Sequence, residues 1–218
     1  LLSPFSFSFE TPKLVAKAFG YNSHGALGLG NTTHQSTPTL IPNFKGIEKV
    51  ALGVHHTLLL LSDGRVMSFG YNGHGQLGHG NTTNLSTPTH VDSSLVQNIQ
   101  NIFAGYYQSF LLREDGTLIV FGRNNNGELG LGHTSTVYSP EALPSAILSG
   151  VKQVSTGANF TLVLTESGGV QELKSFGQNN YGQLGIGNTI NQLAPQDVDL
   201  SNVTGRIQKI DSGLHHSL

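Results

Sequence analysis

An all-β fold of β-propeller blades, each with four antiparallel strands, is predicted by three features of this sequence. One phrase is written four times: FGYNSHGALGLGN from Phe19, FGYNGHGQLGHGN from Phe69, FGRNNNGELGLGH from Phe121 and FGQNNYGQLGIGN from Phe176, with starts 50, 52 and 55 residues apart. Self-similarity near this period marks a repeat architecture and outranks residue-by-residue assignment. No segment sustains a 3.6-residue apolar period. Instead each unit holds short β-prone segments, and in two units Asp63-Gly64 and Asp115-Gly116 separate strand-like runs, the strongest short-range hairpin signal. Radial repetition of such sheets protects their edges.

The elements of one unit follow in order. Residues 36–41 are β-prone and carry Pro38; residues 47–51 alternate apolar and polar after Gly46. Gly53-Val54 turn the chain into the apolar run at 56–61, and residues 62–65 form the hairpin turn before the return strand at 66–69. The next unit predicts strands at 88–91, 99–104, 109–113 and 118–121. The third predicts 140–143, 151–155, 160–164 and 172–176, with a hairpin three residues longer than its counterparts. The last copy offers 195–198 and 207–211. The chain reads as a single repeat domain, 1–218, with units at about 1–30, 31–80, 81–132, 133–187 and 188–218.

The phrase F-G-x-N-x-x-G-x-L-G-x-G is paired with a second element, Gly53-Val54-His55-His56-Thr57-Leu58. That element recurs at 105–110, 157–162 and 213–218. Together they resemble the regulator of chromosome condensation repeat family across about residues 14–218. The resemblance implies a seven-bladed propeller of which about four blades are present, so the chain is expected to be an incomplete arc rather than a closed small ring. A dimer of two arcs is the third geometry. The start on the second half of a blade and the finish on the first half of another resemble the family's way of closing its ring.

Composition narrows the function classes. Charged residues are 11% and the formal net charge is −2, against a usual quarter charged. The Lys and Arg residues are scattered, and nucleic-acid binding needs them clustered, so no direct nucleic-acid contact is expected. With no cysteine, disulfides, thiolate metal sites and cysteine nucleophiles are excluded. The longest apolar run, 58–61, is far too short for a membrane span. Residues 1–9 lack the basic start and apolar core of a signal peptide. The first residue is not Met, which fits a fragment or a processed form. A cytoplasmic or nuclear setting is expected, with no cofactor, no metal and no membrane partner.

Most conspicuous residues repeat, and a motif present four times is first a scaffold. Phe19, Phe69, Phe121 and Phe176 are expected to fill the space between blades, each followed by a structural glycine: Gly20, Gly70, Gly122 and Gly177. The loop glycines, such as Gly25, Gly28 and Gly30, are expected at positive φ, and Asn22, Asn72, Asn124 and Asn179 to bond loop backbone. Gly73–Gly78 matches G-x-G-x-x-G, but no helix follows and the other copies break the match. His56 and His216 share a repeat position that becomes Gln108 and Phe160 elsewhere; a ligand position would not tolerate Phe, so both read as structural, backbone-bonded histidines. His24 and His74 are likewise replaced, by Asn126 and Tyr181. The pairs at 55-56 and 215-216 lack carboxylates at ligand spacing.

Specificity should lie in what remains when the repeat is subtracted. Tyr106-Tyr107 replaces Val54-His55, and Asn159 holds the equivalent turn of the next unit. These three are the candidate partner-binding residues, exposed aromatics in turns being suited to protein contact; packing between blades is the alternative for the two tyrosines. The chain therefore reads as a non-enzymatic protein-interaction propeller with no catalytic residue of its own. The resemblance adds guanine-nucleotide exchange on a Ran- or Rho-type small GTPase by a wedge-like hairpin; the hairpin at 165–174, lengthened by three residues, would make a small wedge, and blades outside this sequence are the alternative place for it. A scaffold without exchange activity is the alternative, and a ligand-binding or enzymatic propeller is more remote.

Overall fold

The computed structural model describes residues 16–42 and 46–218. The strands are β1 (Lys17–Gly20), β2 (Gln35–Leu40), β3 (Ile47–Leu52), β4 (His56–Leu61), β5 (Val66–Gly70), β6 (Leu85–His90), β7 (Ile99–Ala104), β8 (Gln108–Arg113), β9 (Leu118–Gly122), β10 (Val137–Ala142), β11 (Val151–Thr156), β12 (Phe160–Ser167), β13 (Val170–Gly177) and β14 (Gln192–Asp197). Three antiparallel four-stranded sheets run β3-β4-β5-β6, β7-β8-β9-β10 and β11-β12-β13-β14, and β1-β2 pair alone. No helix occurs among the described residues. Within each sheet the spatial order is the chain order, as in a propeller blade. Because β1 ends on the same Phe-Gly pair as β5, β9 and β13, it occupies the third-strand position.

The burial pattern explains the sequence pattern. β4, β5 and β9 are buried at every residue, because central strands have ladder partners on both edges and other blades on both faces. A near-continuous apolar run satisfies that environment. One core cluster threads through all three large sheets, including Leu58, Phe110, Phe121, Val163 and Phe176. The fourth strands carry Pro38, Pro88, Pro140 and Pro195, and a sheet edge is where a missing N–H breaks no ladder.

Blades are joined by a repeated clip. The Thr57 hydroxyl donates to the Ala26 carbonyl at 2.9 Å, Ser109 to Gln76 at 2.7 Å, Thr161 to Glu128 at 2.8 Å and Ser217 to Gln183 at 2.7 Å. Each bond runs from the second strand position of one unit to the loop of the unit before. The phrase asparagines hold those loops: Oδ1 of Asn22, Asn72, Asn124 and Asn179 accepts from the backbone N–H of Leu27, Leu77, Leu129 and Leu184, each at 2.9 Å.

Three expectations need correction or refinement. The ring of Phe69 lies over Gly28, Phe121 over Gly78 and Phe176 over Gly130, and all three are at most 1% exposed. Phe19, expected to be equally buried, is 63% exposed. What covers each buried ring is the loop of the preceding unit, and no such loop lies before Phe19 among the described residues. The strand expected at 207–211 is not formed; only the bridge Ser212↔Ser217 appears there. The register Leu52↔Thr57 of β3-β4 maps onto that bridge, so ladder partners for 207–210 would fall past Leu218. The long hairpin is built by two eight-residue strands that pair in unbroken register to Ser167↔Val170, with Gly168 and Gly169 at φ +58° and +83°.

Candidate functional site

A recurring backbone contact assembles one end of the blades. Gly70, Gly122 and Gly177 hold φ of +110°, +111° and +104°, and a Cβ on any of them would strike the carbonyl of His55, Tyr107 or Asn159, respectively. Only glycine permits that approach. The next residue then bonds the same turn: Tyr71 N–H donates to the His55 carbonyl at 2.8 Å, Arg123 to Tyr107 at 2.9 Å and Gln178 to Asn159 at 2.8 Å. The residue after each Phe-Gly and the last residue of each Gly-x-x turn therefore stand side by side, at the end opposite the hairpin turns.

Side chains from three successive units meet there as a ribbon of tyrosine and histidine. Tyr21 stacks on His34 with centroids 4.9 Å apart, and lies 5.7 Å from His55. His24 stands 5.5 Å from His55 and 4.9 Å from Tyr71. Tyr71 is 5.7 Å from Tyr107, and His74 is 4.8 Å from Tyr107. Tyr106 meets Tyr107 edge-on at 4.6 Å, and the Arg123 guanidinium lies 6.0 Å from the Tyr107 centroid. Such separations match favourable aromatic pairs. Tyr21 is 55% exposed, and His24, His55, Tyr71, His74, Tyr106, Tyr107 and Arg123 are half-buried, so they present edges to solvent while bracing one another.

The expected partner-binding residues converge. Tyr106, Tyr107 and Asn159 line one cleft of about 400 Å³, together with Arg123, Leu214 and His215. Asn159 is braced by donating from Nδ2 to Gln178 Oε1 at 3.0 Å. Tyr106 and Tyr107 combine both sequence alternatives, since they pack on neighbours and remain accessible. Beneath Arg123 sits Glu128, fully buried, with its Oε1 3.7 Å from the guanidinium Nε. Its other oxygen accepts from the Asn126 N–H at 2.6 Å. Burial pushes its carboxyl up from the usual range. Burial likewise lowers His55, assisted by His24, and lowers His74, assisted by Arg123.

The two histidines expected to be structural diverge. His56 is 1% exposed and its Nε2 lies 3.0 Å from the Ser109 hydroxyl, a side-chain partner that adds to the backbone of Gln108 beside the ring. Burial drives its pKa down to about 4. His216 is exposed, a correction with a plain cause: His56 is buried by β8 of the following unit, and His216 has no following unit within this sequence. Side chains alternate along a strand, so His55 joins the ribbon while His56 enters the core. Among the described residues, no three His, Asp or Glu side chains are arranged to hold a metal.

Sequence reasoning missed Tyr21, His24, His55, Tyr71, His74, Arg123 and His215 as surface residues. The available signal was variation at two further repeat positions. One reads Tyr21, Tyr71, Arg123, Gln178 and the other His24, His74, Asn126, Tyr181. Variation at a site between invariant glycines and asparagines reports freedom from the scaffold's constraints, and here it reports solvent.

Comparison with known proteins agrees with the blades and their repeated loops. The chain is 30% identical over 204 residues to the ultraviolet-B receptor UVR8 of Arabidopsis thaliana, covering 93% of this chain and 46% of the relative. It is 35% identical over 121 residues to the secretion-regulating guanine nucleotide exchange factor of Bos taurus, covering 55% of this chain and 25% of the relative. The crystal structure of Prp20p from Saccharomyces cerevisiae superposes with a TM-score of 0.81 at 20% identity, over 92% of this chain and 50% of that one. The chain thus spans less than half the length of these two curated relatives. Residues 15–218 match the RCC1-like domain profile, and the chain belongs to that family of β-propellers.

Proposed function

We propose that this chain is a protein-interaction propeller whose tyrosine-histidine ribbon receives a protein partner, with a small GTPase as the first candidate. One observation carries the reading: Tyr21, His24, His55, Tyr71, His74 and Tyr107, drawn from three units, form a single contiguous aromatic surface. Aromatic side chains are enriched at protein interfaces, and side chains already braced by their neighbours lose little freedom on binding. The role is read as binding, because what the ribbon offers a partner is aromatic area. A cytoplasmic or nuclear setting, and the units at 1–30, 31–80, 81–132, 133–187 and 188–218, belong to the same proposal.

A second reading, guanine-nucleotide exchange, draws support from the relative named as an exchange factor and from Prp20p, described by its binding to Gsp1p and histones. In this chain its candidate element is the long β12-β13 hairpin, whose tip carries the 65%-exposed Val170. That hairpin and the ribbon lie at opposite ends of the blade, so they are separable. Nucleotide release from a panel of Ran- and Rho-type GTPases is measured with the full chain, with Tyr71→Ser plus Tyr107→Ser, and with Val170→Ser. Binding to one GTPase that the ribbon double variant abolishes supports the interaction reading. Accelerated release that only Val170→Ser removes moves the function to the hairpin. If the ribbon double variant binds every captured partner as the parent does, the ribbon proposal fails.

A further inference from the structure

We infer that the ribbon and its end cleft select an acidic peptide segment of the partner, with Arg123 as counter-ion to one of its carboxylates; this rests on the ribbon being the docking face. Charge complementarity carries the argument. The turns at 53–55, 105–107, 157–159 and 213–215 and the loops at 21–30, 71–80, 123–132 and 178–187 contain one basic residue beyond histidine, Arg123, and one acid, Glu128. Glu128 is fully buried. The other basic side chains in these segments are His24, His55, His74, His79 and His215, so the segments present Arg123 and histidines to solvent and no exposed acid. The opposite end differs: its hairpin turns carry Asp63, Asp115 and Glu166, paired with Arg65, Arg113 and Arg206.

The cleft has the build of a carboxylate seat. Its walls are Tyr106, Tyr107 and Leu214, and its polar groups are Arg123, Asn159 and His215. At about 400 Å³ it exceeds the roughly 30 Å³ share of one water many times over, enough for an Asp or Glu side chain and its neighbour. Among the described residues the Arg123 guanidinium has one ion-pair partner, Glu128, reached through Nε. A guanidinium presents five donors in a planar fork, so the groups not aimed at Glu128 are available to a carboxylate. The tyrosine rings toward Tyr21 then take the apolar or aromatic residues that flank the acid. A nucleic acid would also stack on Tyr and His, but it needs a track of basic side chains along its backbone, and Arg123 stands alone.

The test uses fluorescence anisotropy on the full chain with three labelled peptides of one length: alternating Glu, Asp and Phe; the same with Gln and Asn for the acids; and the same with Lys. A labelled single-stranded DNA is the fourth probe. The acidic peptide is expected to bind roughly tenfold or more tightly than its amide twin, and the preference to shrink as salt is raised. Arg123→Gln reduces acidic-peptide affinity by about tenfold and the amide twin's by much less, so the preference for acid collapses. His215→Glu, which leaves Glu128 and its pairing untouched, does the same by planting a negative charge in the cleft, and it keeps the test valid if Arg123→Gln fails to fold. Equal or weaker binding of the acidic peptide, indifference to both variants, or tighter binding of the DNA overturns the inference. Should the peptides fail while the Tyr71→Ser plus Tyr107→Ser variant still loses its GTPase, the docking face stands and only the acid selectivity falls.

Discussion

Truncating Phe121 and Phe19 to alanine, separately, sets the same motif residue against itself. Phe121 is fully buried, with its ring over Gly78 beside the Val91 methyl. Phe121→Ala empties a ring-sized volume between two blades, and a substitution of that kind costs about 3–5 kcal/mol. Phe19 is 63% exposed, so its truncation returns about a third as much surface to water, worth about 1 kcal/mol. The gap of about 3 kcal/mol corresponds to roughly 6–12 °C in melting midpoint for a chain of this size. Urea and thermal denaturation followed by circular dichroism measure both. If the two variants lie within about 0.5 kcal/mol of each other, or if Phe19→Ala is the worse, then inter-blade cover does not set the role of the Phe-Gly phrase.

Three further outcomes follow from the packing. Gly122→Ala should cost over about 2 kcal/mol, combining a positive φ with a collision against the Tyr107 carbonyl, whereas Gly132→Ala, at φ +81° with open space around it, carries the conformational cost alone, about 1–2 kcal/mol; paired urea melts compare them. Thr161→Val removes the clip to the Glu128 carbonyl and should lower stability by about 1–2 kcal/mol, read in the same assay. For His56, burial lowers the folded pKa from 6.5 to about 4, so the unfolded chain binds the extra proton between those values. Stability is then intact above pH 6.5 and declines as the pH falls to about 4, by about 3 kcal/mol in total. His56→Gln, the residue that Gln108 places at this repeat position, should flatten that decline while keeping the neutral-pH stability, and unchanged acid sensitivity would count against the assignment.

The sequence by itself determined the blade. Phe-Gly, Asn and the loop glycines are written four times because each copy meets the same local demand: a glycine at positive φ, an asparagine that closes its own loop, an apolar run enclosed on two faces. Those are short-range requirements, and a repeat displays them directly. Strand ends were legible only loosely, as in β6, which begins at Leu85, ahead of the 88–91 read from the proline. The tertiary structure alone decided which copies are completed by a neighbour. Phe19 and His216 carry the same letters as Phe69 and His56 yet lie exposed, because what buries those positions is an adjacent unit rather than their own. It also assembles the proposed docking face. Tyr21, His55, Tyr71 and Tyr107 are separated by 34, 16 and 36 residues in the chain, and only the juxtaposition of successive blades makes them one surface.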